Sequence, residues 1–192
     1  MPKVVDHEER RRELAGAVWR VITRDGVAHV SMRTVAAESG WSSGALRHYF
    51  ATRDELLAFA CDQVLARVTA RILALEPHGT PEEMVRTLLL ETMPIDPERH
   101  TESSITFAFL VLGLSDPALA AVQRKMLIDM SDLCQSLTRH LLPDASPQQQ
   151  LSVARRLNAL VDGLSVHVLA GHLTPAEAVA ELDAHLETVR VS

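Results

Sequence analysis

Apolar positions recur at three- and four-residue intervals along nearly the whole chain, and nowhere do they alternate as a half-buried strand would. Residues 7 to 24 carry Leu14, Ala17, Val18, Val21 and Ile22 at helical spacing and stop at Asp25-Gly26. Ser31 caps a short helix over 32 to 39 that ends at Gly40, and Ser42 or Ser43 caps a shorter one running to about Tyr49. Thr52 opens a long helix to about Leu75, with Glu55 three residues on as its capping-box partner. Thr80-Pro81-x-Glu83, Ser146-Pro147-x-Gln149 and Thr174-Pro175-x-Glu177 each combine a cap, a proline at the first helical position and a box partner. Asp96-Pro97 and Asp116-Pro117 repeat the cap and proline without the box. The pattern predicts an all-α chain of about nine helices. Its later connections are short, so the C-terminal helices should pack as near neighbours.

Composition narrows the classes. The 192 residues are 47% hydrophobic, with no apolar run long enough to cross a bilayer, and MPKVVDHEERRREL has neither an apolar h-region nor a small-residue cleavage site. The expectation is a cytoplasmic protein with no membrane partner. Cys61 and Cys134 lie far apart with no CxxC, and read as small core hydrophobes. The formal charge of -6 conceals two unlike parts: residues 1 to 60 hold nine Lys and Arg against eight Asp and Glu, a net of +1, which leaves ten against seventeen, a net of -7, for the remainder.

The candidate chemistry sits in SGWSSGALRHYFATRDEL, residues 39 to 56. Two short helices joined at Ser39-Gly40-Trp41 form a helix-turn-helix. Ala36 is small where the helices cross, Gly40 can adopt the left-handed turn, and Val35, Trp41 and Leu46 can fill the space against the first helix. A second helix of roughly 7 residues would be about 10 Å long and would fit a major groove about 12 Å wide. Ser43, Gly44 and Arg47 would then face the groove, with the amides at that helix start favouring a phosphate. A packed turn alone leaves Arg47, His48 and Tyr49 unexplained; double-stranded DNA uses each of them.

G-W-S-S-G-A-L-R-H-Y-F-A-T-R-D-E-L-L resembles the helix-turn-helix signature of TetR-type transcriptional repressors, and the likeness extends from Ala15 through Leu57. Where that family commonly has tyrosine after the leucine, this chain has Arg47, which prefers guanine. The resemblance implies base or phosphate contacts for Arg33, Thr34, Ser43, Gly44, Arg47 and His48, and phosphate contacts for Tyr49 and Arg53. It implies that Phe50 plugs the head against the next helix. LNALVDGLSVHVLAGHLTPAEAVAELDAHL is similar to the last two helices of the BetI-like branch. The expected division is a DNA-binding domain over 1–52 and an effector-binding and dimerisation domain over 53–192.

In such proteins the C-terminal helices dimerise and enclose an effector. Leu157, Leu160, Val161, Leu164 and Val168 form an apolar stripe on one late helix, and Val179, Leu182, Leu186 and Val189 another on the next; these are the expected homodimer interface. Gly163 inside a helix suggests close approach by another helix. A mainly apolar pocket for a small-molecule effector is expected around Phe107, Phe109, Met126 and Met130, with Asp162 and His167 as polar anchors. The effector should be apolar or weakly polar, because an ammonium cage needs more aromatics than the two that follow residue 60.

Rival classes have less support. His167 and His172 are five apart, off the spacing that puts two ligands on one helical face. There is no HExxH, GxSxG or phosphate-cradling glycine loop, and Asp129 with Asp132 reads as a solvated pair. No catalytic residue, metal or cofactor is expected. A helical protein-protein adaptor would account for the bundle but not for the head.

Overall fold

The computed structural model describes residues 7–76, 78–117 and 119–191. These form nine α-helices and no strand: α1 (His7–Asp25), α2 (Met32–Ser39), α3 (Ser43–Leu46), α4 (Arg53–Ala74), α5 (Pro81–Leu90), α6 (Pro97–Ser115), α7 (Ala120–Leu141), α8 (Pro147–Leu169) and α9 (Pro175–Val191), with one 3-10 turn at Val27–His29. No helix among the described residues is long and apolar enough to cross a membrane.

The helix starts follow their caps, because the first amides of a helix have no partner within it. Thr80 Oγ1 accepts the Glu83 amide at 3.2 Å while the Glu83 carboxylate accepts the Thr80 amide at 2.8 Å. Ser146 with Gln149 and Thr174 with Glu177 repeat this reciprocal pair. Asp96 accepts the Arg99 amide at 2.8 Å. At α4, Thr52 Oγ1 accepts the Glu55 amide at 3.1 Å, but Glu55 reaches one residue further back, to the Ala51 amide at 2.8 Å. α7 starts at Ala120 and not at Pro117.

The chain divides into two compact units, one of residues 7–67 with 104–123, the other of residues 68–103 with 124–191. The division between these units runs through α4 and α6. In the first unit α1 supplies the centre, with Leu14, Val18 and Val21 fully buried beside Val35, Leu46 and Phe50. The first half of α4 belongs here because Leu56, Leu57, Ala60 and Cys61 are buried too, and Trp19 Nε1 donates to the Ala60 carbonyl at 2.9 Å. Each such leucine stabilises the fold by about 1.5–3 kcal/mol. Gly113 on α6 meets Gln123: a Cβ there would lie 2.5 Å from that of Gln123, whose amide donates to the Leu110 carbonyl at 2.7 Å.

The second unit packs α5, α7, α8 and α9 around Leu89, Met93, Cys134, Leu157, Val161 and Leu182. Both cysteines are buried thiols, as core hydrophobes should be. Beside this core lies an ionic cluster. Arg71 of α4 forms a two-pronged pair with Glu102 of α6, at 2.9 and 2.6 Å, and donates to Glu91 at 3.0 Å. Arg99 completes the cluster by donating to Glu91 and to Asp96. Both Glu91 and Glu102 are buried. Burial pushes the Glu91 carboxyl up, but hydrogen bonds from Arg99 and Arg71 outweigh it and hold the group below its ordinary range.

Candidate nucleic-acid interface

The short helices of the head are built by their caps. Ser31 accepts the Thr34 amide while Thr34 Oγ1 accepts the Ser31 amide at 2.9 Å and donates to the His29 carbonyl at 2.8 Å. Gly40 closes α2 at φ 75°, the left-handed conformation expected of it. Ser42 caps α3 through the Ala45 amide. α3 is a single turn, shorter than the seven residues expected. After Leu46 the backbone tightens into i to i+3 bonds, His48 to Ala45 and Tyr49 to Leu46, and this delivers the Phe50 ring into the core. Phe50 lies 5.4 Å from Phe59 of α4, the plug the sequence implied.

The expected contact residues divide by their surroundings. Arg33, Ser43, Gly44, Arg47 and His48 are exposed. Among the described residues a Cβ on Gly44 would meet only Ser42 Oγ, at 3.9 Å, so none of them requires glycine there. Thr34 is exposed but its hydroxyl belongs to the α2 cap. Arg53 turns inward: its Nε donates to the Val30 carbonyl at 2.7 Å and its Nη2 to Val27 at 3.1 Å. The phosphate grip expected of Arg53 gives way to a clamp between the start of α4 and the turn before α2.

The first turn of α1 joins this surface, which sequence reasoning missed. The His7 ring lies 4.6 Å from that of Tyr49, and Tyr49 meets Trp41 edge-on at 5.4 Å. Arg10 sits over the Trp41 ring at 5.6 Å, and Arg11 over Phe59 at 4.2 Å and Phe50 at 5.0 Å. His7, Arg10 and Arg11 share one face at i, i+3 and i+4, a spacing visible in the sequence; the aromatic partners were not. Near the other end of α1, hydrogen bonds from Arg24 and Arg20 hold the Glu38 carboxyl below its ordinary range and tie α1 to α2.

The C-terminal expectations are met differently. Leu157, Val161, Leu164, Val168, Leu182, Leu186 and Val189 are buried within one chain, and Leu160 packs against the same cluster. The stripe assigned to a dimer interface is this unit's own core, covered by α5 and α7; periodicity marks an apolar face without saying what covers it. Of the expected effector residues, Phe107 and Phe109 belong to the first unit, and Met126, Met130, Asp162 and His167 to the second. Phe109 and Met126 are buried. Asp162 is half-buried, and burial raises its carboxyl. Cys134 is close by, its thiol pushed up to about 12 by burial and then by the Asp162 charge. His167 is exposed, its ring 5.0 Å from that of His172, which removes it from an apolar pocket.

A capped helix-turn-helix with an outward arginine-histidine face, carried by a larger helical region, defines a DNA-binding regulator of transcription. Residues 15–59 match the bacterial regulatory proteins of the tetR family, and residues 81–191 match the C-terminal region of BetI-type transcriptional repressors. The chain belongs to the TetR family, with a BetI-type C-terminal region. It is 40% identical over 171 residues to the HTH-type transcriptional regulator PksA of Bacillus subtilis (strain 168), covering 88% of this chain and 83% of that one. A transcriptional regulator from Rhodococcus sp. Rha1 superposes with a TM-score of 0.83 at 28% identity, over 93% of this chain and 94% of that one. The multidrug binding protein EbrR, solved with ethidium, superposes with a TM-score of 0.68 at 25% identity, over 92% and 98%.

Proposed function

We propose that the chain is a homodimeric repressor whose two heads occupy the halves of a palindromic operator and whose affinity for DNA is lowered by a small-molecule effector. The observation that carries this reading is Gly44. Glycine in a helix costs about 1 kcal/mol against alanine, and neither its backbone angle nor a neighbour among the described residues requires it, which points to a surface that approaches from outside. Arg47 and His48, exposed beside it, supply donors to base edges and phosphates. His7 and Arg10 extend the same surface toward the backbone of the DNA. Binding of duplex DNA, followed by fluorescence anisotropy at increasing salt, tests the reading: affinity falls with salt, and a fragment containing the operator retains an advantage over random duplex.

The dimer reading rests on the outward faces of α8 and α9. Ala159, Gly163 and Val166 are aligned on α8, and Ala176, Ala180 and Ala184 on α9. Among the described residues a Cβ on Gly163 would meet nothing within 4 Å, and close packing of a second copy would account for this glycine. The effector reading is supported by EbrR, a relative in fold that holds ethidium. Within the second unit, Met126, Met130 and Asp162 are the groups available to a mainly apolar molecule. A thermal-shift screen with operator release as the second readout identifies it.

A further inference from the structure

We infer that His167 and His172 form a two-imidazole site for a divalent transition-metal ion at the turn from α8 to α9. The five-residue separation in sequence argued against shared ligation, but the backbone overrides it. α8 ends at Leu169, Gly171 reverses the chain at φ 70°, and the amides of His172 and Leu173 both donate to the His167 carbonyl, at 2.9 and 3.2 Å. The two histidines are thus fixed to each other through the main chain. Their rings end 5.0 Å apart, inclined at 46°, and both are exposed to an arriving ion.

That separation suits a chelate. With metal–nitrogen bonds of about 2.0–2.1 Å and a near-tetrahedral angle, two imidazoles on one ion have ring centroids roughly 5 Å apart. The surroundings favour a cation as well. The pair sits at the C-terminal end of α8, a helix of 23 residues, where the aligned peptide dipoles concentrate partial negative charge. Glu177, in the first turn of α9, accepts the amide and hydroxyl of Thr174 and places a carboxylate near His172. Imidazole selects Cu2+, Ni2+ and Zn2+ over Mg2+ and Ca2+. Among the described residues no group of three or more His, Cys, Asp and Glu side chains could hold a metal. The site therefore binds through two protein ligands, water fills the remaining positions, and the ion exchanges.

Calorimetric titration of the full chain at near-neutral pH, in a non-coordinating buffer, with Cu2+, Ni2+ and Mg2+ tests the assignment. One ion per chain should bind, Cu2+ more tightly than Ni2+, with Mg2+ giving no binding. His167→Ala and His172→Ala should each weaken that site by about 10-fold or more, while His140→Ala on α7 leaves it unchanged. The Cu2+ paramagnetic resonance spectrum should show two nitrogen ligands. Circular dichroism checks that the variants stay folded, which the exposure of both rings favours. An affinity and stoichiometry unchanged in the double variant, or equal binding of Mg2+, would overturn the assignment.

Discussion

The Arg53 guanidinium donates to the Val30 carbonyl at 2.7 Å, and so the first residue of α4 holds the turn that precedes α2. A second bond, to Val27, makes this a two-point clamp. Arg53→Ala should destabilise the head by about 1.5–3 kcal/mol, the range for hydrogen bonds from a charged group. Amide exchange should rise in α2 and α3 before it rises elsewhere. If Arg53 served only a phosphate, DNA affinity would fall with no change in exchange.

Gly44→Ala separates stability from function. Because a Cβ there meets only ordinary contact, the variant should gain up to about 1 kcal/mol in denaturant unfolding. Its affinity for operator DNA should fall, because the added methyl holds off the nucleic acid. Unchanged affinity would remove Gly44 from the interface.

Arg47→Ala should weaken operator binding by about 1–3 kcal/mol and relax discrimination at one base pair in each half-site. Tyr49→Ala should reduce binding to all sequences alike, because its ring is held between His7 and Trp41 and orients the surface rather than reading bases. Anisotropy on a panel of single-base operator variants measures both.

Val166→Asp places a charge on the outward face of α8, where Val166 is 47% exposed, and should leave the monomer folded while shifting sedimentation toward a single chain. Leu164→Asp buries its charge in the chain's own core and should unfold the second unit instead. A dimer that survives Val166→Asp would place the interface elsewhere.

Arg71→Met takes the two-pronged pair from the buried Glu102 and leaves Glu91 to Arg99, and should cost about 3–5 kcal/mol, the range for removing one partner of a buried ion pair. The wild type carries a matching pH signature. With the folded-state value of Glu91 depressed below its ordinary 4.5, the folded state binds its proton less readily than the unfolded chain. Its contribution is therefore present above pH 4.5 and lost as pH falls through the folded-state value. Thermal unfolding across the acid range should show the loss in wild type and a weaker dependence in Arg71→Met.

Helix identity, most boundaries and the place of the DNA-binding turn were legible in the chain itself, because they depend on neighbours in sequence. Ser31, Thr80, Ser146 and Thr174 cap the residues three positions on, and Gly40 sets its own backbone angle; no distant contact is needed for either. The GWSSGALRHYF run was likewise legible, since its residues act within two turns of one another. Tertiary structure alone decided which apolar face is core: Leu164 and Val166 both lie on α8, and only the arrival of α5, α7 and α9 covers the one and leaves the other exposed. It also decided where charge goes. Arg53 found carbonyls more than twenty positions back, Arg71 found carboxylates at the end of α5 and on α6, and His172 met His167 only because Gly171 reversed the chain. A side chain's fate at long range depends on what the fold brings to it, and residue type and local spacing carry no record of that.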